Sequence, residues 1–465
     1  RYGARPAIYG SYFYSMKDEF ESAFTLRNLY KALLKCCQGT MWKDGTALYR
    51  WDGLENSVKL RKALTGGSYT MQHYMRFRVA RPKPRDITAT RVRDRHAQRA
   101  GCDKVLYDLI TRSFIRNNGA CQRGRGVDDT INRTKEGLRK VYRKQRQARA
   151  QAAGCPVEKI GPFEAEGWVY KGDVRKHFPS TLHRNAKAII RRTLNSPRLA
   201  AMFCAVIESF GEPWWEQQAQ QAGASKTAAQ AFARAVTDAR TEREMIPMRP
   251  EQNREAIAEN CVMRIRRAVN RLPILNAQKR AQLMAAALGD DARGIGLGSQ
   301  LSQLVQLAQL DPIDHYATEV ARPAFYIRYM DDFLLIDADR EKLTAAAQEI
   351  EKRLNALGLE LNPKSQLLPL RSGFVFLKWR FHLTPTGKVI MRAAQGVAKE
   401  EKRRLRRMAQ KVQEGKATAQ SVRTHYAGWR AHMARGNTRA LLKSMDAYID
   451  ALLFEFEKEE PKNEH

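Results

Sequence analysis

The stretch Ala324-Phe325-Tyr326-Ile327-Arg328-Tyr329-Met330-Asp331-Asp332-Phe333-Leu334-Leu335-Ile336 constrains this chain more than any other, because two adjacent carboxylates interrupt an otherwise largely apolar run. Aromatic and branched residues on either side predict two short strands of a hairpin, with Asp331 and Asp332 at the turn. An Asp-Asp pair by itself is weak evidence, since such pairs also occur as solvated turns. Here the flanks are apolar, and a second acid, Asp173, ends another strand-like run in Val169-Tyr170-Lys171-Gly172-Asp173-Val174. Magnesium prefers oxygen ligands near octahedral geometry, so converging carboxylates and substrate phosphates suit it. Two such ions, with Mn2+ as a substitute, would activate a 3′-hydroxyl and stabilise a departing pyrophosphate. Asp173, Asp331 and Asp332 are therefore the expected metal ligands and catalytic residues of a nucleotidyl-transfer site.

Charge identifies the kind of partner. The 465 residues carry 82 Lys and Arg against 49 Asp and Glu, a net +33 that favours a polyanion. Nucleic acid fits best, since each neutralised phosphate releases counterions. An anionic membrane surface is the alternative, but no uninterrupted apolar span of about 20 residues is present to cross one. No cleavable N-terminal targeting segment is visible. Seven cysteines lack paired metal spacing and fit a reducing, cytoplasmic compartment. At 43% hydrophobic residues the chain has enough apolar side chains for a folded core, in roughly two to four compact units.

Apolar spacing predicts a helix over 20–37, with Leu26, Leu29, Tyr30, Leu33 and Leu34 on one packed face. Gly66-Gly67 breaks the chain before a strand or ribbon over 69–79, which enters the extended basic segment Arg81-Pro82-Lys83-Pro84-Arg85. A helix is expected over 91–115. The loop Asn117–Gly126 follows, glycine-rich and basic through Arg123 and Arg125, and suited to phosphates although it is no Walker loop. Helices are expected over 130–152, through an Ala- and Gln-rich stretch at about 214–290, and over 339–357. Leu359–Lys364 then turns toward another strand, and a last unit begins near Gln395. Its Lys399–Arg407 block places basic groups at almost every helical azimuth. The tandem Trp214-Trp215 is read as packing rather than base stacking, and the histidines form no zinc set.

At these positions the sequence resembles the reverse transcriptases, RNA-directed DNA polymerases of the stand-alone bacterial kind found in diversity-generating retroelements and antiviral defence loci, and the resemblance spans nearly the whole chain. Tyr329-Met330-Asp331-Asp332 resembles the family's catalytic tetrapeptide, and Gly172–Ser180 its first palm motif, with Asp173 as metal ligand and Phe178 as the gate facing the sugar 2′ position. Lys83 and Arg85 match basic finger positions near the incoming nucleotide. Gly296–Gln303 resembles the nucleotide- and template-contact motif, which implies contacts by Gly298, Ser302 and Gln303; it ends in Ser-Gln where intron and retroviral relatives have Ser-Pro. Leu361-Asn362-Pro363-Lys364 resembles the motif whose lysine, Lys364, lies near the triphosphate. Phe374–Trp379 resembles the primer-grip hairpin, placing Lys378 and Trp379 at nucleic acid, with Lys378 where glycine is usual. His425–His432 looks like the helical thumb.

The resemblance implies an α+β right-hand polymerase with fingers, an antiparallel-sheet palm and a helical thumb, plus a helical insertion in the palm. Its expected boundaries are an N-terminal helical extension over 1–68, fingers over 69–160, palm over 161–394 and thumb over 395–465. Arg123, Arg125, Arg403, Arg404 and Arg407 are expected to meet nucleic-acid phosphates. The implied partners are an RNA template, a cognate structured noncoding RNA, deoxynucleoside triphosphates and the DNA product, with the insertion offering a surface to an accessory protein or a second copy. The implied setting is bacterial phage defence, with diversity generation as the alternative role. An RNA-templated RNA polymerase and a catalytically silent RNA scaffold are the rival functions.

Overall fold

The computed structural model describes residues 18–80, 84–274 and 276–459. Helices and antiparallel sheets give the expected α+β class, and the chain divides into two compact units, each built from three segments.

The first unit comprises the described residues of Arg1–Ile115 with Val174–Asp314 and Glu351–Glu360. The helix expected over 20–37 is two, Glu19–Ala23 and Leu26–Cys37, because Thr25 turns extended and its hydroxyl accepts the Asn28 N–H at 3.3 Å, capping a new start. Its core face is also narrower than expected. Leu29, Ala32 and Leu33 are buried, whereas Leu26 and Leu34 are exposed. Each residue advances about 100° around a helix, which carries Leu34 off the stripe that Leu33 defines.

The ribbon expected over 69–79 is paired only at β1 (Met75–Val79), antiparallel to β2 (Arg85–Ala89). Upstream, side-chain bonds replace the ladder: the buried Tyr69 hydroxyl donates to Asp94 Oδ1 and the Gln72 N–H to Oδ2, both at 2.8 Å. The expected 91–115 helix runs as Val92–Gly101, a π-helical turn Cys102–Leu106, and Tyr107–Ile110. Helices Glu212–Gln221, Lys226–Glu244, Arg254–Asn270 and Ala277–Leu288 enclose a core of their own around Trp215, Phe232, Ile265 and Leu283. Trp215 is thus a packing residue.

The second unit comprises Arg116–Asp173, His315–Ile350 and the described part of Leu361–His465. Its centre is a four-stranded antiparallel sheet of β3 (Trp168–Asp173), β4 (Phe325–Tyr329), β5 (Asp332–Asp337) and β6 (Gln366–Pro369), in the order β4-β5-β3-β6. Helix Val127–Ala152 crosses β4 so closely that a side chain at Gly137 would overlap the Phe325 ring. Strands β7 (Phe374–Phe376), β8 (Trp379–Leu383) and β9 (Val389–Ala393) form a second antiparallel sheet sharing this core. Helices Val397–Gln413, Ala419–Met433 and Arg439–Glu459 pack around Leu405, Val422, Met445 and Ile449.

The contiguous boundaries expected from sequence cut across these units. Residues 116–160 fall with the sheet, whereas Val174–Asp314, inside the expected palm, fall with the N-terminal helices. Strands far apart in sequence pair with one another, so chain order does not follow spatial grouping. Among the described residues no helix is long and apolar enough to cross a membrane.

Candidate carboxylate site on the central hairpin

The sheet register places Asp173, the last residue of β3, directly across from Asp332, the first residue of β5. Opposed residues of an antiparallel pair have Cβ atoms about 4.5–5.5 Å apart, and like charges there repel. Asp332 also pairs with Tyr329 of β4, so Met330 and Asp331 form a two-residue loop. Burial pushes the Tyr329 hydroxyl up, keeping it protonated. Met330 has φ +55°, at the first loop position of a hairpin that usually takes glycine there. Such a conformation costs about 1–3 kcal/mol and persists only when its surroundings hold it.

Those surroundings are identifiable. Arg328 is almost fully buried, and its Nη1 donates to the Met330 carbonyl at 2.8 Å. Behind the acids, Gly172 faces Phe333 across the ladder, and a Cβ at Gly172 would overlap the Phe333 ring. The Lys-Gly-Asp sequence therefore lets an aromatic ring close over the strand one residue before the acid. Asp173, Asp331 and Asp332 themselves are half-buried.

A turn after the 340–356 helix grips Asp173. Asn362 Nδ2 donates to Asp173 Oδ2 at 2.6 Å, the Asn362 N–H donates to the Asp173 carbonyl at 2.7 Å, and the Asp173 N–H donates to Ser365 Oγ at 3.2 Å. The Lys364 N–H donates to Asn362 Oδ1 at 3.1 Å, leaving the lysine side chain exposed on the turn that holds the acid. Asn362, Ser365 and Arg328 were not expected at the site. The available signal was the Asn-Pro-Lys-Ser turn chemistry, in which Asn folds its side chain back onto nearby backbone.

The basic loop lies against the other side of the hairpin. The Arg328 N–H donates to the Asn117 carbonyl and the Gly119 N–H to the Arg328 carbonyl, both at 3.0 Å, while Asn117 Nδ2 reaches the Tyr326 carbonyl at 2.8 Å. Cys121 Sγ comes within 3.7 Å of Met330 Sδ. Arg123 is exposed on this loop, whereas Arg125 is half-buried and donates from Nη1 to the Asn118 carbonyl at 3.1 Å. The second unit thus brings together Asp173, Asp331, Asp332, the Arg123 loop and the Lys364 turn.

Other expected site residues are placed differently. Lys83 lies outside the described residues. Arg85 is exposed on β2 of the first unit. Phe178, also of the first unit, is half-buried, and its carbonyl accepts the Ile295 N–H at 3.1 Å, joining it to the glycine-rich segment that ends at the exposed Gly298 (φ +86°). Gln303 is half-buried. Ser302, expected to touch nucleotide, is instead buried on the inner face of helix Gln300–Gln309, beside Leu301 and Val305. Trp379, expected at nucleic acid, is fully buried in the core, where its ring fills the space that a side chain at Gly436 would need. Both side chains thus face the interior, where they meet packed neighbours rather than an open surface. Lys378 is exposed at the tip of the β7–β8 hairpin, where Leu377 (φ +49°) and Lys378 (φ +68°) are both left-handed, so lysine occupies a position that glycine would fill without strain. Arg403, Arg404 and Arg407 are exposed; the same helix buries Glu401, Leu405 and Ala409, so its basic groups occupy the outer azimuths only.

Among the described residues no three His, Cys, Asp or Glu side chains converge into a complete metal cage. Magnesium is commonly held by one or two carboxylates plus substrate phosphates rather than by protein alone. The opposed Asp173 and Asp332, with Asp331 beside them, fit that mode. No protein-family model matches the sequence, and no curated protein matches it.

Proposed function

We propose that this chain is a reverse transcriptase, synthesising DNA on an RNA template by metal-dependent nucleotidyl transfer. The observation that carries the reading is the register that sets Asp173 against Asp332, one residue from Asp331 on a strained hairpin loop. Mg2+, or Mn2+ in its place, would be held by Asp173, Asp331 and Asp332, and when bound supplies Lewis-acid activation and neutralises phosphate charge. The remaining work belongs to the chain. Arg328 and Asn362 hold the loop and the Asp173 carboxylate in position. Lys364 and Arg123 offer exposed cations for triphosphate or template phosphates on the turn and loop that flank the acids. The net +33 supports a nucleic-acid partner, and the resemblance in motif order supports RNA as template and deoxynucleotides as substrate. Phage defence in a bacterial cytoplasm, with a structured noncoding RNA, is the role this reading favours.

Purified protein supplied with primed RNA, Mg2+ and deoxynucleotides is expected to extend the primer. Asp332→Asn should reduce incorporation to background while leaving RNA binding intact. Extension by that variant at the wild-type rate would reject the assignment.

A further inference from the structure

The N-terminal helical extension carries a surface that the polymerase reading does not use. Helices Asp44–Trp51 and Gly53–Thr65 bury Thr46, Gly53, Ser57, Leu60 and Leu64. Beside that buried stripe, large apolar side chains are exposed: Trp51 is 89% exposed, Trp42 in the preceding turn 77%, Leu48 71% and Leu54 59%. Single exposed hydrophobics are ordinary, but two indoles and two leucines displayed within 13 residues mark an interaction surface.

The charge around these residues selects the occupant. Between Met41 and Thr65 there are five Lys or Arg and three Asp or Glu, 5 − 3 = +2. Lys43 sits 5.0 Å from the centre of the Trp42 ring, and Arg61 and Lys62 are exposed on the second helix. A second copy docking face to face would bring this positive rim against itself. A single-stranded polynucleotide supplies both missing complements, flat bases for indole faces and phosphates for the cations.

We infer that this face binds single-stranded RNA, with bases stacked on Trp42 and Trp51 and the backbone passing Lys43 and the Arg61-Lys62 pair. Paired bases do not present their faces, so the surface discriminates single strands from duplex. This deepens the polymerase reading by giving its RNA a second contact, and it is tested without synthesis, so either can fail alone.

The probe is a labelled 20-nucleotide uridine-rich RNA, compared with duplex RNA of equal length, against the full chain. Trp42→Ala with Trp51→Ala should weaken single-strand binding by roughly tenfold or more per indole and leave duplex binding unchanged. Lys43→Gln with Arg61→Gln and Lys62→Gln should lower the salt slope by up to about three contacts' worth. Photo-crosslinking with 4-thiouridine RNA should label peptides containing Trp42 or Trp51; both indoles are exposed, so the variants should melt like wild type. Wild-type affinity in the double Trp variant, with no crosslink to these peptides, would overturn the inference. So would a fall in oligomer mass with RNA affinity unchanged, which would identify the face as an interface between copies.

Discussion

The Asp173 carboxylate is oriented chiefly by Asn362. Asn362 donates to the acid's Oδ2 and, through its own N–H, to the acid's carbonyl, so side chain and backbone are held by the same residue. Groups that orient a metal ligand typically contribute 10- to 100-fold to metal affinity or activity. If Asp173 holds the ion as proposed, Asn362→Ala is expected to cut primer extension by about that factor and to raise the Mg2+ concentration for half-maximal rate. An unchanged Mg2+ dependence would leave Asn362 a purely structural residue. Elsewhere, His96 is fully buried, with Nε2 2.7 Å from the Leu29 carbonyl and Nδ1 3.2 Å from the Tyr49 hydroxyl. Burial lowers it from 6.5 to about 4. A depressed folded value means the neutral ring stabilises the fold above pH 6.5, and that contribution is lost as pH falls toward 4. The difference corresponds to at most about 3 kcal/mol. Chemical denaturation across this window should show a fall in stability that His96→Gln largely removes.

At the level of elements, one buried ion network fastens helix Lys226–Glu244 and the turn after Ala277–Leu288 to helices His183–Thr193 and Pro197–Ser209. Lys187, 1% exposed, donates to Glu208 at 3.0 Å, Glu244 at 2.8 Å and Asp290 at 2.5 Å; Arg240, fully buried, also bonds Glu208 and Asp290. Burial alone would raise the Glu208 carboxyl, but the neighbouring His183, Arg240 and Lys187 hold it well below the usual carboxylate range. Burial likewise opposes the Lys187 charge, and Glu208 and Glu244 overcome it. Removing one partner from such a cluster leaves uncompensated buried charge, at a cost of about 3–5 kcal/mol. Glu208→Ala is expected to lower stability by that amount in urea unfolding, and Lys187→Met added to it should recover part of the loss. Helical periodicity made these helices legible in sequence. This network was not, because its members are spread from His183 to Asp290 and each looks like an ordinary surface charge.

Across the whole molecule, the excess of positive charge is the feature with the longest reach. On helix Val397–Gln413 the exposed Arg403, Arg404 and Arg407 surround a packed face formed by Glu401, Leu405 and Ala409. Phosphate contacts retain a duplex without reading its bases. Replacing the three arginines with Gln should weaken binding across sequences, shorten products and reduce the salt slope by up to about three. Filter binding over a salt series and single-turnover extension would show this. An unchanged slope with a large loss of single-turnover rate would contradict a retention role.

The sequence alone determined the hairpin around Asp331 and Asp332, the strand ending in Asp173, the helices over 212–288 and the basic helix over 397–413, because each rests on periodicity or composition within a short window. It could not decide which acids face each other; that came from the β3–β5 register, a pairing between distant segments. Nor could it separate Lys378 in a hairpin loop from Trp379 at the start of the next strand, since only the pairing of Phe376 with Trp379 shows where the loop ends and only packing shows which strand face is covered. The grip of Asn362 on Asp173 and of Arg328 on the Met330 carbonyl likewise appeared only in the fold, where hydrogen bonds are set by position in space.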